Sequence, residues 1–129
     1  MKKLIYLFGI FIYTLNCPSQ NVFQKTFGGV NNDFGQSVQQ TIDEGFVLPG
    51  SSEFGTGNYD FYLIKSDSNG SLLWSKTYGG NNLDYCHEVR QSLDGGFILV
   101  GYTNSFGAGD NDFLLIKTDS LCKNEIKSP

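Results

Sequence analysis

The chain has 129 residues, among them 16 Gly, 11 Phe and 7 Tyr, and a formal net charge of −4. That length holds one ordinary domain with a modest core, not two. The negative balance excludes the clustered Lys/Arg that nucleic acid or an anionic membrane surface requires, and Gly-rich turns between aromatic runs point to an all-β fold.

Residues 1–19 read as a secretory signal. Lys2 and Lys3 open it, residues 4–15 form an apolar run, and Asn16, Cys17, Pro18 and Ser19 close it. This is the basic, apolar, small-and-polar plan of an export signal. The run is shorter than the roughly 20 residues a bilayer span needs. Cleavage is expected near Ser19 or Gln20. The expected location is secreted or cell-surface, and loss of Lys2 and Lys3 takes the mature charge to about −6. A lipoprotein acylated at Cys17 is the lesser alternative, because Thr14 and Asn16 stand where an aliphatic and a very small residue are wanted. Cys86 and Cys122 would remain; export permits a disulfide between them without requiring one.

Residues 20–129 form a repeat region. "KTFGGVNNDFGQSVQQTIDEGFVLPG" from Lys25 lies over "KTYGGNNLDYCHEVRQSLDGGFILVG" from Lys76, an offset of 51. "DFYLIKSDS" from Asp60 then lies over "DFLLIKTDS" from Asp112, an offset of 52. One residue has been inserted between the two blocks, which marks a loop there. Repeat 1 spans about 25–75 and repeat 2 about 76–127.

Each repeat carries strand-like runs bounded by Gly, Asn and Asp. In repeat 1 these are run a (37–42), run b (46–51), run c (60–66) and run d (72–78). Repeat 2 has them at 88–93, 97–102 and 112–118, and "NEIKSP" stands where its run d belongs. Asp43-Glu44-Gly45 and Asp94-Gly95-Gly96 are tight a–b turns, and Ser68-Asn69-Gly70 is a tight c–d turn. The order predicts antiparallel four-stranded meanders and no helix beyond the signal. Apolar residues on both faces of runs b and c predict that one meander stacks on the next. Pro49 falls inside run b, where it removes a ladder donor, and predicts a bulge at Pro49-Gly50. Residues 21–28 have the run-d pattern with no a, b or c before them. This spare strand is expected at the outer edge of run c at 112–118, through a bent two-blade closure or on a neighbouring copy.

The pattern W-S-K-T-Y-G-G … D-G-G-F-I-L-V-G-Y-T … D-F-L-L-I-K-T-D resembles the roughly 50-residue β-propeller repeats of exported bacterial and archaeal proteins. The resemblance covers residues 21 to about 126. It implies an all-β fold of two four-stranded antiparallel propeller-type blades, as a partial propeller or as an oligomer-completed ring. It carries no catalytic residue over. Closed propellers have roughly four to eight blades, so two repeats imply completion by further copies or a fragment of a larger array.

The b–c and d–a loops are expected at one end of the sheets. They carry Phe54, Asn58, Asp60, Phe106, Asp110 and Asp112, the candidate binding residues. Carboxylates, amides and rings are what a sugar or a Ca²⁺ site uses, although an Asp at a strand start more often caps its own turn; for Asp33/Asp84 and Asp60/Asp112, repeated in place, that reading leads. "DSNG" at 67–70 reads as a hairpin turn and not a calcium loop. His87, the only histidine, lacks the converging ligands of a zinc site. Trp74 reads as core between blades. No acid/base pair falls at a defined spacing. The expectation is an exported non-enzymatic protein acting in binding or adhesion, with no resident cofactor. Its partners would be a surface glycan or protein, or copies of itself. A carbohydrate-binding oligomer and a propeller enzyme fragment are the alternatives.

Overall fold

A computed structural model describes residues 22–53 and 58–120. The signal, Cys17, Phe54, Cys122 and "NEIKSP" therefore lie outside the described residues. Those described form eight strands and no helix: β1 (Asp33–Gly35), β2 (Gln39–Gln40), β3 (Phe46–Glu53), β4 (Tyr59–Ser66), β5 (Leu72–Tyr78), β6 (Asp84–Gln91), β7 (Phe97–Thr103) and β8 (Asp112–Lys117). All pairings are antiparallel. The first sheet runs β1-β3-β4-β5, with β2 also on β3, and the second runs β6-β7-β8. Neither closes into a barrel.

Runs b, c and d form where alternation and turn chemistry place them. Run a differs. It begins earlier, at Asp33 and Asp84, inside what reads as loop, and in repeat 1 it splits into β1 and β2. The cause is an extra residue. Cys86 faces Gly101 and Glu88 faces Val100, leaving His87 unpaired. In the first sheet Gly35 faces Gly50 and Gln39 faces Val47, which leaves one residue over on the β1–β2 side. The bulge is therefore in run a, not at Pro49-Gly50. Pro49 itself keeps regular register with Leu63. Its carbonyl accepts from the Gln36 amide at 3.0 Å, so its missing N–H faces the irregular stretch, where a ladder bond is not required. Gly50 and Gly101 stand opposite the start of run a. An added Cβ would strike the carbonyl oxygen of Phe34 or Tyr85, so the repeated glycine is a close-approach residue.

Both a–b turns are clasped by the lysine of run c. Lys65 Nζ lies 3.0 Å from Asp43 and donates to the Ser66 carbonyl at 2.9 Å. Lys117 Nζ lies 2.7 Å from Asp94 and donates to the Thr118 carbonyl at 2.8 Å. The Asp43 carboxylate also accepts from Thr41 Oγ1, and Asp94 from Ser92 Oγ at 2.5 Å. These bonds hold both aspartates below the usual carboxylate range: the Thr41 hydroxyl and then Lys65 for Asp43, Lys117 and then Ser92 for Asp94. The "DSNG" turn is a hairpin. Asp67 Oδ1 accepts from the amides of Asn69 at 2.9 Å and Ser71 at 2.7 Å, and Gly70 alone in this turn takes positive φ, 75°.

The core lies between the sheets. Val47, Phe61, Leu63 and Tyr78 of the first meet Cys86, Val89, Phe97 and Leu99 of the second, with Trp74 edge-on to Phe97 at 5.8 Å and 64°. Each fully buried Val, Leu or Phe contributes about 1.5–3 kcal/mol. Residues 22–28 do not reach β8 and belong to no strand. They lie on the far face of the first sheet, where Phe23 meets Phe46 at 5.8 Å and 64°. Phe23 and Phe46 are the repeat counterparts of Trp74 and Phe97. The segment thus lies on the first sheet as β5 lies on the second.

Candidate functional site

Three loop aspartates cap their own turns. Asp33 Oδ2 accepts the Gly29 amide at 2.8 Å, Asp84 Oδ2 the Gly80 amide at 2.8 Å, and Asp112 Oδ2 the Ala108 amide at 3.0 Å. Asp33 also accepts from Ser52 Oγ, and Asp84 from Ser105 Oγ at 2.7 Å. Each aspartate stands four positions after the amide it holds, a spacing at which a short polar side chain closes a turn.

Asp60 Oδ1 is buried without a hydrogen-bond partner, as is Oδ1 of Asp84. Gly79 sits between the two carboxylates, and a Cβ there would strike Asp60 Oδ1 and lie 2.8 Å from Asp84 Oδ2. Burial, and then the neighbouring Asp84 carboxylate, push the Asp60 carboxyl above its ordinary range. An ionised carboxylate is costly without partners, and a second one beside it adds repulsion.

The loop at 79–84 gathers several of the expected residues. Asn58 Nδ2 donates to the Asn81 carbonyl at 2.5 Å, and Asp60 abuts Gly79. Phe106 folds toward Gly80, where an added Cβ would lie 3.3 Å from its Cζ. Asp110 is exposed on the following loop, and Asp112 is turned to the Ala108 amide. Asn58, Asp60 and Phe106 therefore share one neighbourhood, which Asp110 and Asp112 do not complete. No three His, Cys, Asp or Glu side chains converge among the described residues. Asp60 and Asp84 offer two carboxylates, fewer oxygens than the six to eight or so that Ca²⁺ takes.

A row of rings was not foreseen. Phe34 meets Tyr59 at 5.7 Å, Tyr59 stacks on Tyr85 at 5.3 Å and 28°, and Tyr85 meets Tyr102 at 5.1 Å. His87, exposed at the bulge, adds its ring to Tyr102 at 5.4 Å. The row takes one ring each from β1, β4, β6 and β7 and crosses from one sheet to the other. Phe34 is exposed and the three tyrosines are half-buried. Burial, then Tyr102 and Tyr59, push the Tyr85 phenol above its usual value. The sequence signal was the ring after each repeated aspartate, "DF" at 33–34 and "DY" at 84–85.

Cys86 is a free, buried thiol, and burial pushes it up to about 12. It acts as a small apolar core residue, since the thiol form is inert. No family model matches the chain, and no curated protein is significantly similar to it.

Proposed function

We propose that the chain is an exported, non-enzymatic repeat protein of β-propeller type that works by binding at or outside the cell surface, with carbohydrate as the first ligand class. The repeat pattern and the two stacked meanders support the propeller reading, and the N-terminal pattern supports export. The observation that carries the binding reading is the ring row. Phe34, Tyr59, Tyr85 and Tyr102 form one continuous row, Phe34 exposed and the tyrosines half-buried, and Asn32 and Asn58 stand close before Phe34 and Tyr59 in the chain. Sugars bind by laying apolar C–H faces on rings while amides take their hydroxyls.

A hydrolytic reading would rest on Asp60 and Asp84, the only described carboxylate pair with a perturbed member. Asp84 is fully buried and tied to Gly80 and Ser105, which favours a structural role for it. Glycan-array binding by the purified chain tests the proposal. The expected result is binding to a defined glycan set, weakened about tenfold by Tyr59→Ala. A blank array would sink the carbohydrate reading. Turnover of glycosides would favour the enzyme.

A further inference from the structure

The two sheets bury one pair of faces against each other and leave the counterpart faces open. Phe61 and Leu63 of the first sheet are 0% exposed, while their repeat counterparts in the second, Phe113 and Leu115, are 95% and 69% exposed. On the other side of the contact, Val89 is 2% exposed and its counterpart Val38 is 62% exposed. Val38 borders an apolar groove of about 400 Å³ with Phe23, Phe46 and Leu48. The second sheet therefore presents the knobs, and the first sheet the seat, of an interface the molecule already contains once.

We propose that a second copy of this chain docks head to tail, its Val38–Phe46–Leu48 face covering the Phe113–Leu115 face of the first. Three observations favour a second copy over an unrelated partner. First, the internal contact between β3–β4 and β6–β7 is a worked example of how the two faces fit. Second, one of the polar contacts across the sheets carries over. The Ile42 amide donates to Gln91 Oε1 across the sheets at 3.0 Å, and the same offset brings Leu93 of one copy to Gln40 of the next. Third, the free edges are complementary. β5 pairs with β4 and lies on the second sheet. Residues 22–28 already lie on the first sheet in the same pose, paired with no strand, and β8 pairs among the described residues only with β7. A second copy brings residues 22–28 alongside β8. Such a heterologous contact closes into a ring where the rotation allows and otherwise extends as a filament. The inference rests on the internal interface and is independent of any glycan.

Light scattering on the purified chain, with two variants, tests it. The wild type should have the mass of several copies. Phe113→Asp and Val38→Asp should each give single copies, with the β-sheet circular dichroism of the wild type, because both side chains are exposed in one copy. Leu115→Asp serves as the second knob variant should Phe113→Asp fail to fold. Mixing Phe113→Asp with Val38→Asp leaves one intact knob face and one intact seat, so the mixture should give a two-copy species and nothing larger. A wild type that is single-copy at every concentration overturns the proposal. So does a mixture that stays single-copy, since a symmetric contact would not be rescued this way. Tyr59→Ala should leave the mass unchanged, which separates this result from the glycan test.

Discussion

Phe61 and Phe113 hold the same place in the two repeats, each second in an Asp-Phe pair that opens a run-c strand, and their surroundings are opposite. Phe61 is sealed between the sheets, and Phe113 faces outward. Nothing in their strands separates them. What differs is the neighbour: β6 and β7 cover the first, and no described element covers the second. Burial in this fold belongs to the stacking of one meander on another, as in other repeat architectures whose units depend on nearest neighbours. The largest expected effect sharpens that contrast. Phe61→Ala should cost about 3–5 kcal/mol, a transfer loss plus a cavity. Phe113→Ala, measured on dissociated chains, should stay within about 0.5 kcal/mol of wild type. Equal losses in denaturant titrations would show that the two faces are not different after all.

The two lysine clasps make a milder version of the same comparison. The side chain of Lys65 is 6% exposed and that of Lys117 is 44% exposed, although both reach the same aspartate of the same turn. Removing Asp43 leaves a buried ammonium with the Ser66 carbonyl and no counter-charge, whereas removing Asp94 leaves one that water reaches. Asp43→Ala should cost about 1–2 kcal/mol, discounted for the exposure of Asp43 itself. Asp94→Ala should cost less. Chemical denaturation of both variants reads this directly, and a larger loss for Asp94→Ala would contradict the difference in burial.

Acid behaviour sets Asp60 against Asp43 and Asp94. The last two are held below the ordinary aspartate value of 3.8. Their contribution to stability is complete above that value and is lost as pH falls through their lower folded-state values. Asp60 is raised above 3.8. The folded state then holds its proton more tightly than the unfolded chain, so this contribution falls as pH climbs from 3.8 through the raised value and is constant beyond it. Asp60→Asn removes that fall. Melting temperatures of the variant and the wild type should diverge in favour of the variant as pH rises through this window. Parallel curves would mean that Asp60 titrates as an ordinary exposed carboxylate.

Runs b, c and d were legible because Gly, Asn and Asp punctuate them and because apolar positions on both faces demand cover. Run a was less legible. Its extra residue is Gln36 or His87, neither of which signals a bulge, while Pro49 across the ladder drew attention to the wrong strand. The turn-capping role of Asp33, Asp84 and Asp112 could be read from position. The raised carboxyl of Asp60 could not, because it depends on Gly79 and Asp84 approaching from another segment. The ring row escaped for the same reason. Phe34, Tyr59, Tyr85 and Tyr102 lie far apart in sequence, and only the stacking of the sheets brings Tyr59 to Tyr85.

The smallest expected effect concerns the a–b turns. Glu44 and Gly95 occupy one position in the two repeats, and both adopt positive φ, 65° and 82°. The turns are otherwise alike: the Thr41 amide donates to Gly45 O and the Ser92 amide to Gly96 O, both at 2.9 Å. An L-residue with a Cβ is strained there by roughly 1–2 kcal/mol, because the Cβ crowds the carbonyl oxygen that follows. Glycine escapes that strain but loses more chain entropy on folding, roughly 0.4–1 kcal/mol. Strain exceeds entropy at this φ, so Glu44→Gly should stabilise the chain by about 0.5–1 kcal/mol. The reverse change, Gly95→Ala, should destabilise by a similar amount, since an added Cβ there meets only Ser120 Cβ at 3.3 Å and the penalty is nearly all backbone. Urea midpoints of the two variants measure both. If Glu44→Gly loses stability, the Glu44 side chain makes a favourable contact that outweighs its backbone strain, and the two turns are not equivalent.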